Sequence, residues 1–274
     1  MERNPPIGIF DSGVGGLTVY RALKRALPNE HYLYLGDTAR LPYGTKTADT
    51  VTRYSLQAAK KLIHAGVQFL VIACNTATAS SLEAVRVAHP EIPIIGVIEP
   101  GAETALSTSK TKHIGVIATP ATVRAQGYEQ AIHALDPTAQ VLSLATPLLV
   151  ALAEEGLITG EIPKQILHHY LNSWLSLADG NRPDTLILGC THFPVLEKTI
   201  NLVVGHKMQV IDSAASVAAK VKAYFDTNPK LKNQTQQGHT EFWVTDGTER
   251  FIDVAHVFLD EKISHKQVHL IDLG

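Results

Sequence analysis

Phe69-Leu70-Val71-Ile72-Ala73-Cys74-Asn75-Thr76 sets the pattern of the chain. Five apolar residues in a row leave no polar face for water, so the run reads as a strand buried on both sides. A small polar cluster follows, and a helix then runs to about His89. The same unit recurs outward in both directions. Pro6 to Phe10 leads through Asp11-Ser12-Gly13 into a helix from about Gly15 to Leu27. His31 to Leu35 leads to Gly36-Asp37. Pro93 to Val97 is a further run. His113 to Ala118 leads through Thr119-Pro120 into one helix ending near Leu135. Val141 to Leu144, Thr185 to Gly189 and Gln209 to Ile211 follow. Glu241 to Thr245 is a late strand, with a last helix over about Glu249 to Leu259. Asn228 to Gly238 is rich in Lys, Asn and Gln and reads as an exposed loop. Doubly buried strands alternating with helices predict parallel sheets with βαβ crossovers. In such sheets ligands bind beyond the carboxyl ends of the strands, so every polar cluster named above is a candidate site.

The bulk numbers narrow the class. A chain of 274 residues fits two small α/β domains or one large one. With 45% hydrophobic and 18% charged residues, it has the composition of a globular protein. The formal net charge of −2 supplies no basic surface for phosphate, so no nucleic-acid partner is expected. The apolar runs fall far short of the roughly 20 residues of a membrane span, so no membrane partner is expected either. Met1 to Pro6 carries no basic-then-apolar leader, and the expected location is cytoplasmic. Two cysteines in a chain of this size predict free thiols rather than a disulfide staple.

Two pairs of segments echo one another. Ile7-Gly8-Ile9-Phe10-Asp11-Ser12 resembles Ile114-Gly115-Val116-Ile117-Ala118-Thr119, and Phe69 to Thr76 resembles Thr185 to His192. The two offsets are unequal, as duplicated halves with drifted loops would leave them. Buried strands also look alike because all use Ile, Val and Leu; a cysteine at the same place in both copies favours duplication.

Cys74 and Cys190 each end an apolar strand and open a helix. There the helix dipole favours thiolate. A lone free cysteine is usually a small buried hydrophobe, but here both thiols of the chain sit at equivalent strand ends. Three chemistries use paired thiols. A redox pair would read Cys-x-x-Cys, which is absent. A zinc site would need more ligands than His192, since nothing suitable accompanies Cys74. The third is proton transfer, in which one thiolate removes a proton from an sp³ carbon and the other thiol returns one from the opposite side. Asp11-Ser12-Gly13-Val14-Gly15-Gly16 is built to offer backbone N–H groups to a carboxylate, and its glycine spacing is not the dinucleotide fingerprint. Asp37 with Leu41-Pro42-Tyr43-Gly44 reads as a turn. Asn75, Thr76, Thr119 and Thr191 are neutral donors that could equally be helix N-caps.

Taken together, Gly8 to Leu17, Gly36-Asp37 with Pro42-Tyr43-Gly44, Cys74-Asn75-Thr76-Ala77-Thr78, Glu154-Glu155-Gly156 and Gly189-Cys190-Thr191-His192-Phe193-Pro194 resemble the glutamate racemases of the aspartate/glutamate racemase family. The resemblance implies two similar parallel-sheet α/β domains, pseudo-symmetric and flavodoxin-like, with the active site in the cleft between them. It implies a discontinuous first domain, 1–98 plus 210–274, and a second domain, 99–209. It implies an isomerase that needs no cofactor and no metal and supplies D-glutamate for peptidoglycan, hence for cell-wall biogenesis and cell shape. Under it Cys74 serves the D-glutamate face and Cys190 the L-glutamate face. Asp11, Glu154 and His192 assist the proton transfers. Asp11, Ser12, Tyr43, Gly44, Asn75, Thr76, Thr119, Thr122, Thr191 and His192 hold the substrate. Assembly is left open, a homodimer included.

The chain departs from the pattern at Thr146 before Pro147, where relatives often have Cys, at Ala151 in place of Pro, and at Ala125 in place of Ser. Its start close to the first strand argues against control through an N-terminal extension. Two other readings stay open on the sequence: a racemase for aspartate on the same scaffold, and a non-catalytic amino-acid-binding protein.

Overall fold

The computed structural model of the protein describes residues 5–233 and 238–274. Ten strands are found among them: β1 Ile7–Asp11, β2 Tyr32–Gly36, β3 Phe69–Ile72, β4 Ile94–Gly96, β5 His113–Ala118, β6 Gln140–Ala145, β7 Thr185–Gly189, β8 Gln209–Ile211, β9 Thr240–Val244 and β10 Val268–Leu270. They form two wholly parallel sheets, ordered β10-β9-β2-β1-β3-β4 and β6-β5-β7-β8. The fold is two parallel-sheet α/β units: the sheets are parallel as the recurring strand–turn–helix pattern predicts, and there are two as the family resemblance implies.

The order β2-β1-β3-β4 in the first sheet is repeated as β6-β5-β7-β8 in the second. This matches the two echoes of sequence, because β1 then corresponds to β5 and β3 to β7. The strands are buried because each sheet is covered on both faces. In β1 and β3 the side chains alternate between faces. Ile7, Ile9, Phe69 and Val71 join the core under helices Leu17–Ala26, Ser213–Thr227 and Thr248–Phe258. Phe10, Leu70 and Ile72 join the core under helices Ala48–His64 and Asn75–Ala88. In the second sheet Leu186 and Leu188 pack toward Leu167, Leu171 and Trp174, and Ile187 packs toward Ala102, Tyr128 and Ile132. Each such fully buried large side chain contributes about 1.5–3 kcal/mol.

Three local features differ from the sequence reading. The single helix expected from Pro120 to Leu135 is two helices, Pro120–Arg124 and Gly127–Leu135, broken at Gln126 with φ of 52°. The break lets Gly127 press against two neighbouring helices, Asn75–Ala88 and Ile98–Thr108: a β-carbon there would lie 2.9 Å from Ala79 Cβ and from Ile98 Cδ1. Strand β10 was not anticipated, since three residues with His269 in the middle carry no apolar run. Of the expected loop Asn228 to Gly238, Pro229–Leu231 forms a 3-10 turn, and 234–237 lie outside the described residues. The N-terminal reading on Met1 to Asn4 lies outside them too.

Candidate active site

The carboxyl ends of the six strands β1, β2, β3, β5, β6 and β7 open onto one cavity of about 290 Å³. Ser12 and Gly13 follow β1, Cys74 to Thr76 follow β3, Thr119 and Pro120 follow β5, and Cys190 to His192 follow β7. The loop Leu41 to Thr45 after β2 is one wall. Pro147, Val150, Ala151 and Glu154 after β6 are another. Both halves of the molecule thus contribute equivalent strand ends. A larger groove of about 520 Å³ lies between helices Asn75–Ala88, Ile98–Thr108 and Gly127–Leu135, but it contains neither cysteine and no histidine.

The two thiols have equivalent backbone positions and different neighbours. Cys74 caps helix Asn75–Ala88, its Sγ accepting the Ala77 N–H at 3.4 Å, and it lies 3.6 Å from Ser12 Oγ. Burial, helped by the charge of Asp11, pushes its pKa up to about 12 and outweighs the cap. The thiolate expected from the helix dipole is therefore not the state of Cys74 at neutral pH. Cys190 Sγ instead lies 3.7 Å from His192 Nδ1, and His192 Nε2 lies 3.1 Å from Glu154 Oε1. Burial would lower the His192 pKa. Its hydrogen bonds to Cys190 and Glu154 outweigh burial and push it up to about 10, so the ring is cationic at neutral pH. The hydrogen bond from His192 in turn lowers the Glu154 pKa. Arg250 Nη2 stands 3.9 Å from the second Glu154 oxygen.

Such a pair can do acid–base work on one substrate from two sides. A profile of the Asp/Glu/Hydantoin racemase family matches residues 7–221, well over half of the sequence. The chain belongs to that racemase family. It is an isomerase acting on amino acids. It is 43% identical over 257 residues to glutamate racemase of Geobacter metallireducens, covering 94% of this chain and 93% of that one. It is 44% identical over 261 residues to glutamate racemase of Aquifex aeolicus, covering 95% and 96%. The crystal structure of glutamate racemase from Francisella tularensis in complex with D-glutamate superposes with a TM-score of 0.90 at 36% identity, covering 98% of both chains.

Within this racemase, Ser12, Tyr43, Gly44, Cys74, Asn75, Thr76, Thr119, Glu154, Cys190, Thr191 and His192 all line the cavity. Two residues expected to hold substrate stand behind the wall. Asp11 is fully buried, its Oδ2 accepting the Gly13 N–H at 2.9 Å and its Oδ1 the Thr191 hydroxyl at 3.4 Å. Burial raises its pKa. Thr122 supports the wall through a hydroxyl cluster, 3.1 Å from Thr76 Oγ1 and 3.0 Å from Thr119 Oγ1. The glycine-rich turn also does something other than offer a row of free N–H groups. Gly13 gives its N–H to Asp11, and Gly15 makes room for the opposite half. A β-carbon at Gly15 would lie 2.4 Å from His192 Nδ1.

The sequence reading treated Asp37 as a turn residue, yet its buried carboxylate anchors the Tyr43 wall. It accepts the Tyr43 hydroxyl, Arg40 Nε at 2.7 Å and the Thr245 hydroxyl at 2.9 Å. Thr18, read only as helix, donates to the Thr191 carbonyl at 3.1 Å and ties the first half to the Cys190 loop. Val150 and Pro147 add an apolar wall that no motif signalled. Among the described residues, no group of three His, Cys, Asp or Glu side chains is arranged to hold a metal ion, and no helix is long and apolar enough to cross a membrane.

Proposed function

We propose that this chain interconverts L- and D-glutamate by passing protons between the substrate Cα and two sulfurs, Cys74 and Cys190, with no cofactor. One observation carries the reading: both cysteines of the chain face the same small cavity from opposite halves of the molecule. The substrate assignment rests on relatives named as glutamate racemases at over 40% identity and on the D-glutamate complex of the similar Francisella enzyme.

In the L-to-D direction the Cys190 thiolate, beside the His192 cation, takes the Cα proton. An S–H bond forms, the C–H bond breaks, and its electron pair stays on Cα, spread into the carboxylate. The Cys74 thiol then gives its proton to the opposite face of Cα and is left as thiolate. The reverse direction starts from the opposite protonation state of the two sulfurs. Inversion needs one thiol and one thiolate at rest; burial keeps the proton on Cys74, and the His192 ring stands 3.7 Å from Cys190 Sγ. Preorganised donors in a water-poor cavity stabilise the carbanion. Tyr43, Gly44, Asn75, Thr76 and Thr119 line the wall where the substrate carboxylates are held. Asp11, Glu154 and His192 tune the proton transfers. The halves are taken as 1–98 with 210–274, and 99–209, the strand Gln209–Ile211 spanning the second boundary. The product is assigned to peptidoglycan synthesis in the cytoplasm.

The test is circular dichroism of L-glutamate incubated with purified protein and no added cofactor. The signal is expected to decay to zero, with solvent deuterium entering Cα. Decay with L-aspartate alone would make the protein an aspartate racemase. Glutamate binding without loss of signal or deuterium uptake would make it a binding protein.

A further inference from the structure

Tyr128 lies outside every motif read from the sequence. It is buried, in the first turn of helix Gly127–Leu135, just past the left-handed break at Gln126. Its ring is wedged between two glycines from different elements. A β-carbon at Gly189, the residue before Cys190, would lie 3.1 Å from Tyr128 Cε2, and one at Gly101 would lie 3.3 Å from Cε1. The hydroxyl donates to Asn75 Oδ1 at 2.7 Å, and the Ser213 side chain hydrogen-bonds to the phenol oxygen. Burial raises the Tyr128 pKa, so the phenol keeps its proton and stays a donor. Asn75 lines the cavity next to Cys74.

An amide has one acceptor end and one donor end. We infer that Tyr128 is a positioning residue which, by holding the Asn75 amide oxygen, turns the Asn75 Nδ2 donors into the cavity toward a carboxylate oxygen of the substrate. This inference rests on the proposed glutamate reading and adds the device that sets the polarity of one binding group. Without the phenol, the amide can rotate and present its oxygen to an anion, which repels it. The helix break matters here, because it delivers Tyr128 from the second half to a residue of the first.

Tyr128→Phe keeps the ring between its glycines and removes only the donor. Calorimetric titration with D-glutamate is expected to show binding weakened about 2- to 12-fold, the span of one hydrogen bond between neutral groups. KM should rise by a similar factor while kcat changes less than about threefold, the signature of lost ground-state binding. In an Asn75→Ala background, Tyr128→Phe should add nothing further, because the phenol acts through the amide. Asn75→Asp, which keeps an acceptor for Tyr128 and replaces the donors with an oxygen, should bind more weakly than Asn75→Ala. Wild-type binding of D-glutamate with unchanged affinity in Tyr128→Phe overturns the inference, as does full additivity of the two substitutions or wild-type affinity in Asn75→Asp. A wild type that binds no glutamate sinks the glutamate reading and this inference with it, whereas the other outcomes sink this inference alone.

Discussion

Cys74 and Cys190 occupy matching strand ends, and their chemistry diverges through what stands beside them. Cys74 is buried near Asp11, while Cys190 faces a histidine whose pKa is raised by its hydrogen bonds to Cys190 and Glu154. On the two-sulfur reading each thiol is indispensable for inversion. Cys74→Ser and Cys190→Ser are each expected to lower racemisation at least about a hundredfold, the typical scale of a general acid or base. Each should still eliminate HCl from one enantiomer of 3-chloroglutamate, since abstraction of Cα–H and loss of chloride need only one base. The assay is chloride release beside polarimetry. Near-normal racemisation by either single variant ends the two-base scheme.

At the level of elements, the site depends on close approach between loops of the two halves. Gly15 is the clearest case. A methyl group there would meet His192 Nδ1 and Thr191 Oγ1, both at 2.4 Å. Gly15→Ala is expected to destabilise the fold by about 1–3 kcal/mol, as overpacking usually does. It should reduce turnover further by moving His192 off Cys190. Urea unfolding and the racemisation rate read the two effects separately. The break at Gln126 makes the opposite prediction. A non-glycine residue in the left-handed region carries roughly 1–2 kcal/mol of strain, part of which glycine recovers after its larger loss of backbone freedom. Gln126→Gly should therefore leave the urea midpoint unchanged or raise it, and a clear fall would show that the break is held by the Gln126 side chain itself.

For the whole molecule, the His192–Glu154 ion pair inside the second half links stability to pH. His192 titrates at about 10 in the folded protein, against an ordinary value of 6.5. The folded state therefore holds this proton more tightly than the unfolded chain. That contribution is fully present below pH 6.5 and is lost as pH rises through 10. Unfolding free energy should fall across that window, and His192→Gln should flatten the fall. A wild-type stability that rises from pH 7 to 10 contradicts the charge assigned to His192. Thr18 meets Thr191, the residue before His192, across the two halves, so a change there should register in both stability and rate.

The doubly buried runs at Phe69 to Ala73 and Thr185 to Gly189 were legible as parallel strands, because a strand with two buried faces has no use for polar residues. Their terminal cysteines were legible as a pair for the same reason: strand ends in such sheets are where chemistry can sit. Strand β10 and the break at Gln126 were not legible, since three mixed residues and one unremarkable glutamine carry no periodic signal. The difference between the two sulfurs was also out of reach. Charge on a thiol is set by burial and by neighbours that arrive from distant points of the chain, such as Glu154 against His192. Local pattern determines which elements form, because backbone hydrogen bonding and side-chain alternation are local. Only the packed tertiary structure decides protonation, the direction of Asn75, and which glycines must stay bare, because those depend on distances between atoms far apart in sequence.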